Sequence, residues 1–441
     1  MKKIVLLFLV VMLFILGGCS QANIDDKEPD NENPINDKDP DNKDPDNEEP
    51  IVKDPYQVYT IYLTTENNQE ITSKETYLKG TIEVKEGIYK QAPLEMEIRG
   101  RGNSTWGMDK KPYRIKMSQR TSVLGLKKIK NYVLLADYTD KSLLRNYLGH
   151  KLSTYLNSFY TLETRHTHVY LNDEYMGVYL MTEQVKDDKE GMVVGVNDNH
   201  YLLELEQGED RIANEGIEDI HWFHEGVNLV IKDPDMDDFE PSEVSSKITY
   251  LHNFIKQMSD SFDKENYDEF IDVDNFIDYF IVHEIFKTVD IGYSSVYSVI
   301  QNNKLYMGPH WDFDISLGNG DYFNSGPEKY RNRYNPWFNK IIDNEAFKTK
   351  YLNRFNVILD EVMPQLLIDL DWAYEGLKDA AALNFNRWQI LGHYVWPNPE
   401  QMARIDTYEG QYLYLKVHLN NRIAWLKNEI NTKGYYPYHP E

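Results

Sequence analysis

The stretch Met307–Asp321, MGPHWDFDISLGNGD, decides how the rest of this chain is read. Two carboxylates, Asp312 and Asp314, stand two apart, and Trp311, Phe313, Ile315 and Leu317 alternate with them. Successive side chains of an extended segment point to opposite faces. The spacing therefore predicts Asp312, Asp314 and Ser316 on one face, with the apolar set packed behind. Two acids over a polar cleft, backed by a core, suit a divalent cation. A lone D-x-D is more simply a strand end whose acids cap turns; the residues upstream decide against that.

Upstream, Phe276, Ile277, Phe280, Ile281, Ile285 and Phe286 recur at helical spacing, and Asp274-Asn275 is predicted to cap that helix. It runs into Thr288-Val289-Asp290. Ser295–Ile300 then reads as a strand, Asn302-Asn303 as a tight turn and Lys304–Gly308 as the return strand. Helix, acid-bearing loop, hairpin and second acid follow in the order of a protein-kinase C-lobe. There the first Asp takes the substrate proton and the second holds Mg²⁺.

Six segments extend this likeness. They are EIRGRGNSTW (97–106), KKPYRIKM (110–117), NYVLLADYTDKSLLRN (131–146), YMGVYLMTEQV (175–185), DNFIDYFIVHEIFKTVD (274–290) and GPHWDFDISLGN (308–319). In that order they resemble the CotH kinase family of spore-coat and secreted bacterial proteins. The resemblance covers roughly residues 56–430. It implies an α+β class and a bilobal atypical protein-kinase-like fold, with a β-rich N-lobe (about 56–235) and a helical C-lobe (about 236–430). It further implies Mg²⁺ and ATP as cofactors, with Mn²⁺ as a substitute ion. Asp290 becomes the expected catalytic residue, and Asp312 and Asp314 the expected metal ligands with Ser295.

The N-terminal half carries the expected nucleotide contacts. Val58–Thr64 and Leu94–Ile98 alternate as strands, and Gly100–Thr105 forms a glycine-bearing loop before Pro112–Met117. Such a loop brings backbone N–H groups, here those of Gly102, Asn103 and Ser104, towards phosphate oxygens. Alone it is more commonly a turn. In Pro112–Met117, Tyr113, Ile115 and Met117 face one way, so Arg114 and Lys116 face the other. Arg114 suits a salt-bridged edge strand equally well. For Lys116 the match to the family segment favours nucleotide binding, and Glu183, in the matching YLMTEQ segment, is its expected partner. Glu204 and Glu206 compete for that role. Asp140 is expected to cap a helix over Lys141–Leu156, and Arg145 to brace the lobes.

The family pattern is not met everywhere. Typical kinases place a metal-ligating Asn five residues after the catalytic Asp; here that residue is Ser295, and Thr288-Val289 replaces H-R. A degenerate kinase that binds nucleotide without transferring phosphate stays open. His166 and His168 sit at strand spacing without an evident third metal ligand, and His310 adjoins the acids at the cleft.

The N-terminus carries an address. Lys2-Lys3, the apolar Ile4–Leu16 and Leu16-Gly17-Gly18-Cys19 have the form of a lipoprotein signal over residues 1–19. Cys19 is the only cysteine, which marks it as the expected lipidation site and excludes an internal disulfide. Residues 20–55 hold 13 Asp and Glu against 4 Lys, with repeated D-P-D-N, and read as a disordered tether. The expected location is the extracytoplasmic face of the bacterial membrane. At a net charge of −25 nucleic acid is an unsuitable partner; a surface or spore-coat protein is the expected substrate. Towards the C-terminus, Phe347–Val362, Leu366–Leu383 and Tyr408–Ile430 read as amphipathic helices before a tail at 431–441. Arg422 falls outside the apolar stripe of the last, as a surface charge would. The residues suit an atypical serine/threonine kinase. A non-catalytic surface scaffold, binding glycan or protein, is the alternative.

Overall fold

Alternation at positions 113–117 becomes the inside and outside of a barrel. The computed structural model describes residues 56–194, 199–208, 221–224, 227–321, 325–433 and 435. Cys19, the signal segment and the acidic tether lie outside these residues. Seven strands close the barrel: β1 (Tyr59–Thr65), β2 (Leu78–Val84), β3 (Gln91–Gly100), β4 (Tyr113–Thr121), β5 (Ile129–Leu135), β6 (Thr164–Leu171) and β7 (Glu174–Glu183). Their order around it is β1-β2-β3-β4-β5-β7-β6, closed by a parallel β6–β1 pairing. Tyr113, Ile115 and Met117 fill the interior with Ile98, Tyr132, Leu134, Tyr179 and Met181.

β5 and β7 read differently from β4, and for a physical reason. Their residues are apolar on both faces, as in strands covered on both sides. Tyr132 and Leu134 point into the barrel, whereas Val133 and Leu135 join the main core outside it. In β7, Tyr179 and Met181 point in, while Val178 and Leu180 point out. The barrel wall thus serves as one side of a second, larger core.

That core is roofed by a five-stranded sheet and helices. The sheet runs β12-β11-β8-β10-β9, from β8 (Tyr201–Leu205), β9 (His221–His224), β10 (Val227–Asp233), β11 (Val296–Gln301) and β12 (Lys304–Met307). The expected boundary near residue 235 therefore runs through a sheet, because β8–β10 lie before it and β11–β12 after. The β11–β12 turn places Asn302 (φ 52°) and Asn303 (φ 58°) in the left-handed region, as a two-residue hairpin of this kind requires.

The helices are α1 (Arg145–Ser153), α2 (Pro241–Ser261), α3 (Val273–Phe286), α4 (Pro336–Ile341), α5 (Glu345–Val357), α6 (Met363–Arg387), α7 (Glu400–Ala403) and α8 (Tyr408–Lys433). A π turn at Ile358–Val362 joins α5 to α6, so the two predicted helices are one continuous run. α3 is capped by Asp272, whose carboxylate accepts from the Asn275 N–H at 3.0 Å, rather than by Asp274-Asn275. Asn275 has another duty. Its amide holds both the N–H (2.7 Å) and the C=O (3.1 Å) of Met307, tying α3 to the end of β12. No helix among the described residues is long and apolar enough to cross a membrane.

Arg422 corrects a second expectation. It is fully buried, not a surface charge. Its guanidinium pairs with Glu284 at 2.8 Å and donates to the carbonyls of Glu284, Pro327 and Lys329. The Glu284 carboxylate also accepts from the N–H groups of Arg331 (2.6 Å) and Asn332 (3.0 Å). Periodicity of apolar residues cannot reveal such a pair, because a desolvated ion pair looks like surface in a hydropathy pattern.

Candidate functional site

One small cleft gathers residues from six separate chain segments, Pro112 before β4 among them. The end of β3 supplies Arg101 and the loop Gly102–Thr105. The end of β5 supplies Ala136 and Asp137, and α1 supplies Asn146. The turn after α3 supplies Asp290 and Ser295, and the stretch after β12 supplies Trp311, Asp312, Asp314 and Ile315. Its volume is about 110 Å³.

Local geometry shows why these residue types are there. Gly102 (φ +85°) needs the left-handed region, and a Cβ on it would lie 2.2 Å from Thr105 Oγ1. Three non-glycine residues lining the cleft also have positive φ: Asp137 (45°), Ser295 (60°) and Asp312 (65°). Such residues are uncommon, and at functional sites they cost on the order of 1–3 kcal/mol each. Asp312 corrects the simple strand reading of 311–317. The segment is not extended there, and Leu317 (φ 41°) turns as well. Trp311, Phe313 and Leu317 are nonetheless buried as predicted, whereas the Ser316 hydroxyl turns inward and donates to the Phe313 carbonyl at 2.6 Å.

α1 clamps this acid loop. The Asn146 amide donates to Asp137 at 2.7 Å while its oxygen accepts from the Phe313 N–H at 2.8 Å. The Arg145 guanidinium pairs with Asp140 and donates to the carbonyls of Ser316 (2.9 Å) and Leu317 (3.1 Å). The Asp140 carboxylate accepts from the N–H groups of Ser142, Leu144 and Arg145, so it caps the segment as expected, though α1 starts only at Arg145. Gly149 lets Phe313 approach; a Cβ there would lie 2.1 Å from the ring. On the other side the Leu317 N–H donates to Phe286 at 2.8 Å and the Val289 N–H to Ile315 at 3.3 Å, which sets the two acid-bearing segments side by side.

The electrostatics are those of a crowded acid cluster. Burial pushes the Asp314 carboxyl well above the usual range, and Asp312 and Asp137 push it further. Burial also raises Asp137, with Asp140 adding to it and the Asn146 amide opposing it. Arg101 is the cation facing them. Burial lowers its pKa, and Asp312 and Asp314 are among the groups that hold its proton. Its guanidinium carbon lies 5.5 Å from the Trp311 ring centroid. Acids forced together in this way are relieved by a divalent cation. Among the described residues no three His, Cys, Asp or Glu side chains form a ready-made metal cage. Mg²⁺ does not need one, since it is commonly held by one or two carboxylates together with substrate phosphates. Asp312, Asp314 and Ser295 fit that mode.

Of the predicted site residues, Asp290, Ser295, Asp312, Asp314, Gly102, Asn103 and Ser104 meet in the cleft. Lys116, Arg114 and Glu183 are not among its lining. The expected Lys116–Glu183 pair does not form. Lys116 lies on the outward face of β4 and pairs with Glu97 at 3.6 Å, on the adjoining strand. Glu183 is buried; it accepts from Tyr160 at 2.6 Å and lies 3.6 Å from Lys127. Arg114 is half-buried on the outward face. Glu204 pairs with Lys232 at 3.0 Å, and Glu206 accepts from Ser294 at 3.0 Å. His310 sits behind the acids, buried, its Nδ1 3.3 Å from His283 Nε2. His166 and His168 bond separately, to Tyr56 and Leu143 and to Tyr175. Sequence patterning marks none of Arg101, Asp137 and Asn146 as a site residue. All three lie inside segments that carry the family likeness, and that was the available signal.

The chain belongs to the CotH kinase protein family, whose model matches residues 98–426. No curated protein matches it. The family indicates a kinase-like function and, in general terms, the use of nucleotide and metal.

Proposed function

We propose that this protein is a lipid-anchored, extracytoplasmic kinase. It transfers the γ-phosphoryl group of ATP to a Ser or Thr hydroxyl of a surface or spore-coat protein. The convergence of Asp290, Ser295, Asp312, Asp314 and the Gly102–Ser104 loop in one cleft carries the reading. In this proposal the barrel and the helical body stand as the two lobes of an atypical kinase-like fold. Asp312 and Asp314, with Ser295, hold Mg²⁺, which when bound neutralises phosphate charge. Arg101 takes the phosphate-contacting role first expected of Lys116, and the N–H groups of the glycine loop assist it. Asp290 orients the acceptor hydroxyl and takes its proton. The new P–O bond forms to that oxygen, the β–γ bridging bond breaks, and ADP departs. Positioning and charge neutralisation supply most of the rate in such transfers.

The direct test is Mg²⁺-dependent transfer of labelled γ-phosphate to protein, autophosphorylation included, beside a thermal-shift titration with ATP. Native-state binding raises the melting temperature. A nucleotide-dependent shift without transfer points to the non-catalytic reading, which the neutral Ser295 and the unformed Lys116–Glu183 pair favour. Neither shift nor transfer removes the kinase proposal.

Arg101 and Lys116 separate two versions of the site. Arg101→Gln is expected to weaken Mg·ATP binding by tenfold or more, because it removes the cation facing the acids. Lys116→Gln is expected to change it less than threefold, since its side chain is exposed and paired with Glu97. The opposite ranking in a calorimetric titration would return the phosphate role to Lys116.

The membrane anchor rests on the sequence pattern at Cys19. Cys19→Ser is expected to leave the domain folded and to abolish incorporation of labelled fatty acid. Continued labelling would rule out that anchor.

A further inference from the structure

A second cavity lies apart from the catalytic cleft and shares none of its lining residues. It encloses about 590 Å³ between β1, the turn at Gly87–Tyr89, α1, the start of β6 and α6. That is the size of a small-molecule site. Part of its wall, including Tyr56, Tyr59 and Tyr89, precedes residue 98, where the family match begins.

Its aromatic walls meet at steep angles. Tyr56 stands at 87° to Tyr147 with centroids 5.6 Å apart, and at 82° to Trp372 with centroids 4.8 Å apart. Tyr59 and Tyr89 stand at 67° and 4.9 Å. At these distances the rings of each pair touch edge to face and form a continuous aromatic wall rather than a slot between them.

The polar lining is cationic within a strongly acidic protein. Lys151 and Arg165 line the cavity against one acid, Glu163. Neither cation forms an ion pair among the described residues: Arg165 donates to the Thr164 carbonyl at 2.9 Å, and the Lys151 ammonium lies 5.2 Å from the Tyr155 ring centroid. His150, 2% exposed, closes the inner wall, its ring edge-on to Trp311 and Phe313.

We propose that this cavity binds an anionic sugar residue, a pyranose ring carrying a carboxylate or a phosphate. The ring packs on the aromatic wall, and Arg165 with Lys151 holds the anion. The proposal does not depend on kinase activity.

The test uses the full chain and four probes: glucuronate, glucose 6-phosphate, glucose and inorganic phosphate. Calorimetry gives affinities. At least one charged sugar is expected to bind tenfold or more tightly than glucose. Binding of glucuronate alone identifies a carboxylate ligand, and binding of glucose 6-phosphate alone a phosphate ligand. Arg165→Gln and Lys151→Gln are each expected to lower that affinity about tenfold with an unchanged melting temperature. The proposal is overturned if neither charged sugar binds at millimolar concentration. It is equally overturned if inorganic phosphate matches them, or if both variants bind like the parent.

Discussion

Asp290→Asn is expected to abolish phosphate transfer while leaving Mg·nucleotide binding nearly intact, and Asp312→Asn is expected to weaken that binding itself. The two acids line one cleft from separate segments, and the proposed mechanism gives them different tasks. Loss of a positioned proton acceptor costs about 10²–10⁴ in rate. Loss of the Asp312 charge removes a metal ligand, so both transfer and Mg²⁺-dependent thermal stabilisation should fall together. Asn suits both positions sterically. At Asp312, with φ 65°, it is also among the residues that best tolerate the left-handed region. Filter-binding transfer assays and calorimetric titration, run on both variants, separate the roles. Equal loss of folding stability in the two, with no selective defect, would assign both acids to structure alone. Ser295→Asn completes the series: if the neutral hydroxyl limits the rate as a metal ligand, this variant gains activity.

Arg422→Met is expected to destabilise the domain by about 3–5 kcal/mol, the cost of leaving a buried charge without its partner. Arg422 and Glu284 are both fully buried, so the variant leaves the Glu284 carboxylate without its cation in the interior. The effect should reach the candidate site. Glu284 lies in the last turn of α3, whose end delivers the Asp290 segment, and Glu284 also binds the N–H groups of Arg331 and Asn332. Adding Glu284→Gln is expected to restore part of the loss, because the buried charge goes while the amide oxygen keeps one of those two hydrogen bonds, which end on different carboxylate oxygens. Thermal and denaturant unfolding of the single and double variants give the coupling. A loss under about 1 kcal/mol in the single variant would show that the pair does not hold this corner together.

Much of the site was legible because its residues break local rules. Asp312 and Asp314 stand among large apolar neighbours, and the glycine loop stands between alternating strands. The β11–β12 hairpin was equally plain, since Asn-Asn between two apolar runs has few other uses. The partner of Lys116 was not legible. Lys116 falls opposite Glu97 because β3 and β4 are adjacent in the barrel. Glu183 sits on β7, which pairs with β5 and β6. Only the closed strand order decides that, and sequence alternation reports faces rather than neighbours.

The sequence by itself determined the α+β class, the family and the candidate acids, because side-chain periodicity and long motifs are local properties. Tertiary structure alone decided that Arg422 is buried. It alone placed Arg101, Asp137 and Asn146 in the cleft, and it alone gathered Tyr56, Tyr59, Tyr89, Tyr147 and Trp372 along one cavity. Those facts depend on which distant surfaces meet and exclude water, and desolvation leaves no mark on the order of residues along the chain.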